Sequence, residues 1–242
     1  PTPINEIWQS TSNTTQMSLD VQCSEEYDVE QGEEGADAGV KLRVRQRLEE
    51  LVKETEQQAY ELADALQAQI MAGEVEVETS GRKIIIRIRE KGSFVSGSAE
   101  LTPEYRDVMH EVRSVLALKP GSIVVQGHSD DIPIRTARFR SNWELSAARA
   151  VSVAHELMIG GTLPASRFEV SGKADTQPLA PNNSAENRAR NRRVEIVIQQ
   201  GLADELSAED KALLQTDEGQ DIMRELDIAP KYLFELNPDE VF

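Results

Sequence analysis

Between Glu74 and Ile198 the spacing of apolar residues switches back and forth between two and three-to-four, and this alternation restricts the segment to a sheet with helices laid across it. Val75 and Val77, a turn at Ser80 and Gly81, then Ile84, Ile86 and Ile88 set against Ile85, Arg87 and Arg89 read as a hairpin. Thr102 and Pro103 open a helix carrying Tyr105, Val108, Met109, Val112, Val115 and Leu116 on one face, closed by Lys119, Pro120 and Gly121. Ile123 to Gln126 is a buried strand, followed by a turn over Gly127 to Asp131. Ser141 to Glu144 spells a capping box for a helix reaching Ile159 and stopped by Gly160 and Gly161. Strands at 167–172 and 194–198 flank a Pro/Asn-rich loop and a short Arg-rich helix over 184–192. The expected fold is α+β: a two-layer sandwich over 74–200, a mixed sheet with helices on one face.

Charge separates this segment from its flanks. Of 43 acids and 26 bases, residues 1–39 hold nine acids and no base, residues 201–242 hold 12 acids and three bases, and the middle is nearly neutral. An acidic chain without a basic domain argues against nucleic acid, whose phosphates demand a concentrated cationic face. A single cysteine, Cys23, excludes an intrachain disulfide and a thiolate metal cluster. No apolar run reaches the roughly 18 residues of a membrane span.

Residues 1–39 mix Ser, Thr, Gln, Gly and acids at no fixed period and read as an acidic flexible linker, about 35 Å across as a coil. From residue 40 to 73 the pattern is one long helix, with Val44, Leu48, Leu51, Thr55, Ala59, Leu62, Leu66 and Ile70 on one stripe and Gly73 as its stop. At ~1.5 Å per residue it makes a rod of ~48 Å, more than one side of a small domain needs, so part of it projects, pairs with a second copy or docks reversibly. Residues 201–242 form an acidic extension with helical patterns at 206–214 and 220–226; packed and mobile states are both open.

The helix from Asn142 carries Asn142, Leu145, Ser146, Arg149, Ala150, Val153 and Leu157 on one stripe, so the face turned to the sheet is polar in its first half. A buried Arg149 needs an acid opposite, and the turn with Asp130 and Asp131 is the expected supplier. Two readings stand side by side. In one, Arg149 and Asp130 clasp helix to sheet, and substitution costs stability. In the other, both are hydrated in an open pocket and face one small zwitterion, so substitution costs binding alone. An enzyme would have to use His128, Ser129, Asp130 and Asp131, yet neighbours on an extended chain point to opposite faces, and a metal would find too few separated ligands there. The run Arg188, Arg190, Arg192 and Arg193 lacks the aromatic platform of a nucleic-acid binder and is expected to pair with acids at the sheet end.

Gly127 to Asp130, then Asn142 to Ala150 with Val153 and Leu157, Arg167, Gly172, Pro178 and Asn191 to Ile196 resemble the OmpA-like peptidoglycan-binding domain across residues 82–198. Asp131 to Ile134, Ser141 to Ser146 and the Gly160–Gly161 pair are similar to the B subunits of flagellar motor stators, the MotB and PomB family, with the acidic extension leaning toward the sodium type. The resemblance implies a non-enzymatic anchor, without cofactor or metal, that holds the diaminopimelate stem peptide of peptidoglycan. Asp130 would take the ammonium and Arg149 the carboxylate, with Asn142 and the turn at Ser129 assisting, and Phe94, Ser96 and Gly97 walling the pocket. It further implies a homodimer, a MotA- or PomA-type channel partner, and a place as the periplasmic part of a single-pass inner-membrane protein whose membrane helix is not among these residues.

Overall fold

The computed structural model describes residues 29–95, 97–202 and 205–228, with side chains from residue 38 onward. Residues 39–242 form one compact unit and residues 1–38 another, of which the helical backbone from residue 29 is described. The strands are β1 (Val75–Ser80), β2 (Lys83–Arg89), β3 (Ser122–His128), β4 (Phe168–Ala174) and β5 (Arg193–Gln199). They form one sheet in the order β1-β2-β5-β3-β4, antiparallel throughout except for the parallel pair β3 and β4. The helices are α1 (Val29–Ala65), α2 (Gln67–Met71), the irregular turn α3 (Glu90–Ser93), α4 (Pro103–Leu116), α5 (Asn142–Met158), α6 (Ala185–Asn191), α7 (Ala208–Leu214) and α8 (Asp217–Glu225).

Register explains which face is covered. Ile84, Ile198 and Ile123 form one row across the sheet, Ile86, Ile196 and Val125 the next, and Ile88, Val194 and Gly127 the third. These rows meet α4, α5 and the second half of α1 in a single core that includes Leu62, Leu66, Met109, Leu116, Val153 and Leu157. Thr102 caps α4 by accepting from the Tyr105 N–H, with Pro103 at the first position where no donor is needed. The capping box expected on α5 is one-sided. Ser141 accepts from the Glu144 N–H at 3.4 Å, but the Glu144 carboxylate turns back to the Arg140 N–H at 2.7 Å instead of to Ser141.

The first helix departs from the expected bounds at both ends. It begins at Val29, inside the stretch read as linker. It breaks at Leu66 and resumes as α2, which ends as expected at Gly73 (φ +72°), with the Glu74 N–H donating to the Gln69 carbonyl. Its apolar stripe serves two clusters. Ala59, Leu62 and Leu66 join the sheet core, whereas Val44, Leu48 and Leu51 pack with Leu202, Leu206, Leu213, Leu214, Met223 and Ile228. Thr55 marks the divide, where Arg82 Nη1 donates to the Leu51 carbonyl at 2.8 Å and Thr55 Oγ1 meets Gln200 at 3.0 Å.

The part of α1 expected to project is therefore clad by the described part of the C-terminal extension; Tyr232 and Phe234 lie outside the described residues. Lys41 pairs with Glu218 (2.5 Å), Arg43 with Asp210 (3.1 Å), Arg45 with Glu225 (3.0 Å) and Arg47 with Glu205 (2.9 Å). Exposed pairs of this kind are worth under about 1 kcal/mol each, while burial of a leucine gives about 1.5–3 kcal/mol, so the apolar cluster dominates. Deleting residues 202–242 should therefore bare Val44, Leu48 and Leu51 and open the bonds after Lys41, Arg43, Arg45 and Arg47 to trypsin. Equal resistance of the truncated and full chains would show that these helices do not hold α1.

Candidate functional site

The site grows from the end of β3. There the register slips between Gly127, opposite Gly172, and His128, opposite Ala174, a bulge accommodated by Ala174 at φ +48°. The Ser129 N–H returns to the Ala174 carbonyl at 2.8 Å, which aims the next residue, Asp130, off the sheet. Asn142, in the first turn of α5, holds the loop that follows: its amide donates to the carbonyls of Asp130 (3.1 Å) and Ile132 (3.0 Å) and accepts from the Ile134 N–H (3.1 Å). Its donors and acceptor are thus spent on the loop, and it acts as a brace. Ser129 is buried, with its hydroxyl on the Asp130 carbonyl at 3.0 Å.

Arg149 lies about two turns after Asn142 on the buried stripe of α5 and is 2% exposed. The acid opposite it is not Asp130 or Asp131, as expected from the turn, but Glu90. Arg149 Nη2 meets Glu90 Oε1 at 2.5 Å, Nε donates to the Ser98 carbonyl at 3.0 Å, and the guanidinium lies 5.1 Å over the Phe94 ring. Asp130 belongs to another pair: Oδ2 accepts from Arg192 at 2.7 Å and Oδ1 from the Ile132 N–H at 3.2 Å. Arg192 also pairs with the second oxygen of Glu90, so the order of contacts is Arg149, Glu90, Arg192, Asp130. Asp131 is exposed. Burial works to raise the Glu90 carboxyl, but Arg149 and Arg192 outweigh it and hold it below the ordinary carboxylate range.

All four charged groups, with Gly97, Ser129, Asn142, Leu145 and the Ile132–Ile134 loop, line a cavity of about 240 Å³. Two carboxylates and two guanidiniums leave it without net charge. Of the residues expected from the sequence, Asp130, Arg149, Ser129, Asn142 and Gly97 meet here and Phe94 supports Arg149 from below, while Ser96 lies outside the described residues. Sequence reasoning missed Glu90 and placed Arg192 only generally, as pairing with acids at the sheet end. A signal for Glu90 existed: it continues the parity of Ile84, Ile86 and Ile88, an acid at a position of the core-facing set.

His128 does not join this site. It sits in β3 in register with Arg193, 3.7 Å from Glu195, on the sheet face opposite Gly127. Burial first, then the Arg193 guanidinium, pushes its imidazole down to about 4 against the pull of Glu195. A histidine depressed in the folded state leaves stability intact above 6.5 and takes it away as the unfolded chain alone binds a proton. Unfolding free energy should fall by about 3 kcal/mol between pH 6.5 and 4, and His128→Leu should flatten that slope. Glu90 and Glu195, both held below their ordinary value of 4.5, take stability away in their turn as the unfolded carboxylates protonate around that value, so the His128 share of the slope is the part read between pH 6.5 and about 5. Unchanged slope in the variant would assign the effect elsewhere.

A two-layer α+β domain with a charge-balanced cavity at the sheet end is the class that fold and site define. The chain belongs to the OmpA family, whose match spans residues 93–192. It is similar to a putative MotB like protein from Desulfovibrio vulgaris, 30% identical, covering 63% of this chain and 98% of that one with a TM-score of 0.59. The cell wall anchor of the T6SS from Pseudomonas aeruginosa is 42% identical over 57% of this chain and 96% of that one, TM-score 0.54. Motility protein B of Bacillus subtilis (strain 168) is 34% identical over 126 residues, 52% of this chain and 48% of that protein, so the chain spans about half the length of this curated relative. Among the described residues no helix is long and apolar enough to cross a membrane, and no cluster of His, Cys, Asp and Glu could hold a metal ion.

Proposed function

We propose that this chain is the wall-binding part of a flagellar motor stator B subunit, a non-enzymatic anchor that grips the diaminopimelate stem peptide of peptidoglycan so that ion-driven torque has a fixed reaction point. The observation that carries the reading is the cavity at the end of β3, where Asp130 and Arg149 are 6% and 2% exposed, opposite in charge and within the family match. A zwitterionic amino-acid head presents an ammonium to the first and a carboxylate to the second. Similarity to Motility protein B and to a MotB-like structure supports the motor assignment. On that reading the chain is periplasmic, works as a homodimer, and reaches a MotA- or PomA-type channel subunit through a membrane helix outside these residues; sodium coupling, PomB-like, is part of the same proposal.

The test is co-sedimentation with purified sacculi, with and without competing meso-diaminopimelate. Asp130→Asn should lower retention at least about 30-fold, because loss of one partner of a desolvated charge-assisted contact costs about 2–5 kcal/mol. Retention that ignores both the competitor and the substitution would remove the stem peptide as ligand. A second reading, an OmpA-like anchor of another envelope machine, is favoured by the 42% identity to the T6SS cell wall anchor. Swimming of cells complemented with the full-length gene, wild type against Asp130→Asn, separates the two.

A further inference from the structure

We propose that Glu90 and Arg192 are internal counterparts of the ligand's two charges, and that binding displaces both from the pair that holds the ligand. The inference rests on the reading of Asp130 and Arg149 as the zwitterion-binding pair. Arg192 puts a cation on Asp130, where a ligand ammonium would sit, and Glu90 puts a carboxylate on Arg149, where a ligand carboxylate would sit. The two inner groups are deeply buried, 8% and 2% exposed at their side chains, whereas Glu90 and Arg192 are 22% and 31% exposed and have room to withdraw.

Charge balance favours an exchange. Glu90 and Arg192 already pair with each other. When a zwitterion takes Asp130 and Arg149, that outer pair remains, so the swap strands no charge at any point. Without such counterparts Arg149 would be a cation buried without a carboxylate, which few folds tolerate. The same contacts that let the pocket form then set how much of the ligand's affinity is lost to displacement. They also impose selectivity: a ligand with one charge would free one member of the chain and leave the other inner group on its internal partner.

The experiment compares affinity for meso-diaminopimelate, read by thermal shift and calorimetry, in wild type, Arg192→Gln and Glu90→Gln. Each substitution removes one charge-assisted contact that the ligand must otherwise break and also the partly exposed outer pair, which is worth less, so each should tighten binding about three- to thirtyfold. The two variants change the charge of the site in opposite senses. A general field effect on a neutral zwitterion would not tighten both, and displacement would. If Glu90→Gln does not fold, Arg192→Gln decides alone, since Glu90 then stays on Arg149 and no buried cation is stranded. Equal or weaker binding by Arg192→Gln would make Arg192 a bystander or a further ligand and overturn the proposal. Failure of wild type and both variants to bind the amino acid, with sacculus retention indifferent to Asp130→Asn, would instead bring down the zwitterion reading and this inference with it.

Discussion

Gly127→Ala is expected to be the most damaging single-atom-scale change in the domain, costing at least about 3 kcal/mol and leaving much of the protein insoluble. A Cβ at Gly127 would lie 1.9 Å from the Ser146 carbonyl oxygen and 2.7 Å from its carbon, both backbone atoms of α5 that no rotamer change can move. Gly172, its register partner in β4, meets the same turn of α5 less severely, at 2.8 Å from the Ala147 Cβ and 2.9 Å from Ser146 Oγ. Two glycines side by side therefore form the seat on which α5 comes down against the sheet. That approach brings Ser146 Oγ to the Ala174 N–H at 3.2 Å and sets the height of Asn142 and Arg149 over the cavity. Chemical denaturation of Gly127→Ala beside Gly172→Ala measures the difference, with the larger loss expected at Gly127. A Gly127→Ala protein as stable as wild type would mean that α5 does not sit this close.

Glu90→Gln should destabilise the fold by about 3–5 kcal/mol, far more than Asp130→Asn. The asymmetry follows from who pairs with whom. Glu90 is the carboxylate of Arg149, which is 2% exposed, and it also braces Arg192, so its loss leaves a buried guanidinium without an anion. Asp130 pairs with Arg192, whose side chain is 31% exposed and keeps Glu90, so Asp130→Asn strands nothing buried and should cost about 1 kcal/mol. This reverses the expectation from sequence, in which Asp130 supported Arg149 and its loss was the one that threatened the helix. Neither alternative posed there stands as stated: Arg149 is clasped by Glu90 and not by Asp130, and at 2% and 6% exposed neither Arg149 nor Asp130 is a hydrated group in an open pocket, yet both line the cavity. Urea titrations of the two variants decide the matter; equal midpoints would refute the assigned pairing.

Much of this was legible in one dimension, for a reason particular elements make plain. The hairpin of β1 and β2 and helices α4, α5, α7 and α8 were readable because their signals are local: a period of two or of three-to-four, a cap at Thr102 or Ser141, a stop at Gly73. The buried stripe of α5, from Leu145 through Arg149 to Leu157, follows from helical geometry alone. Asp130 and Arg149 could be named as neighbours of one cavity because a strand-end turn and the first turns of the next helix meet wherever that helix returns across the sheet.

By itself, then, the sequence determined the α+β class, the order of the sheet domain's main elements, the covered face of the sheet and two of the four charged residues at its end, Asp130 and Arg149. Only the tertiary structure decided the partners. Glu90 reaches Arg149 across 59 residues of chain and Arg192 reaches Asp130 across 62, and the helices of the C-terminal extension return to the middle of α1, at Val44, Leu48 and Leu51. A buried charge requires some opposite charge, which sequence can state. Which of several acids satisfies it depends on the register of β2 beside β5 and on how closely Gly127 lets α5 approach, and those are properties of packed backbone that no local pattern encodes.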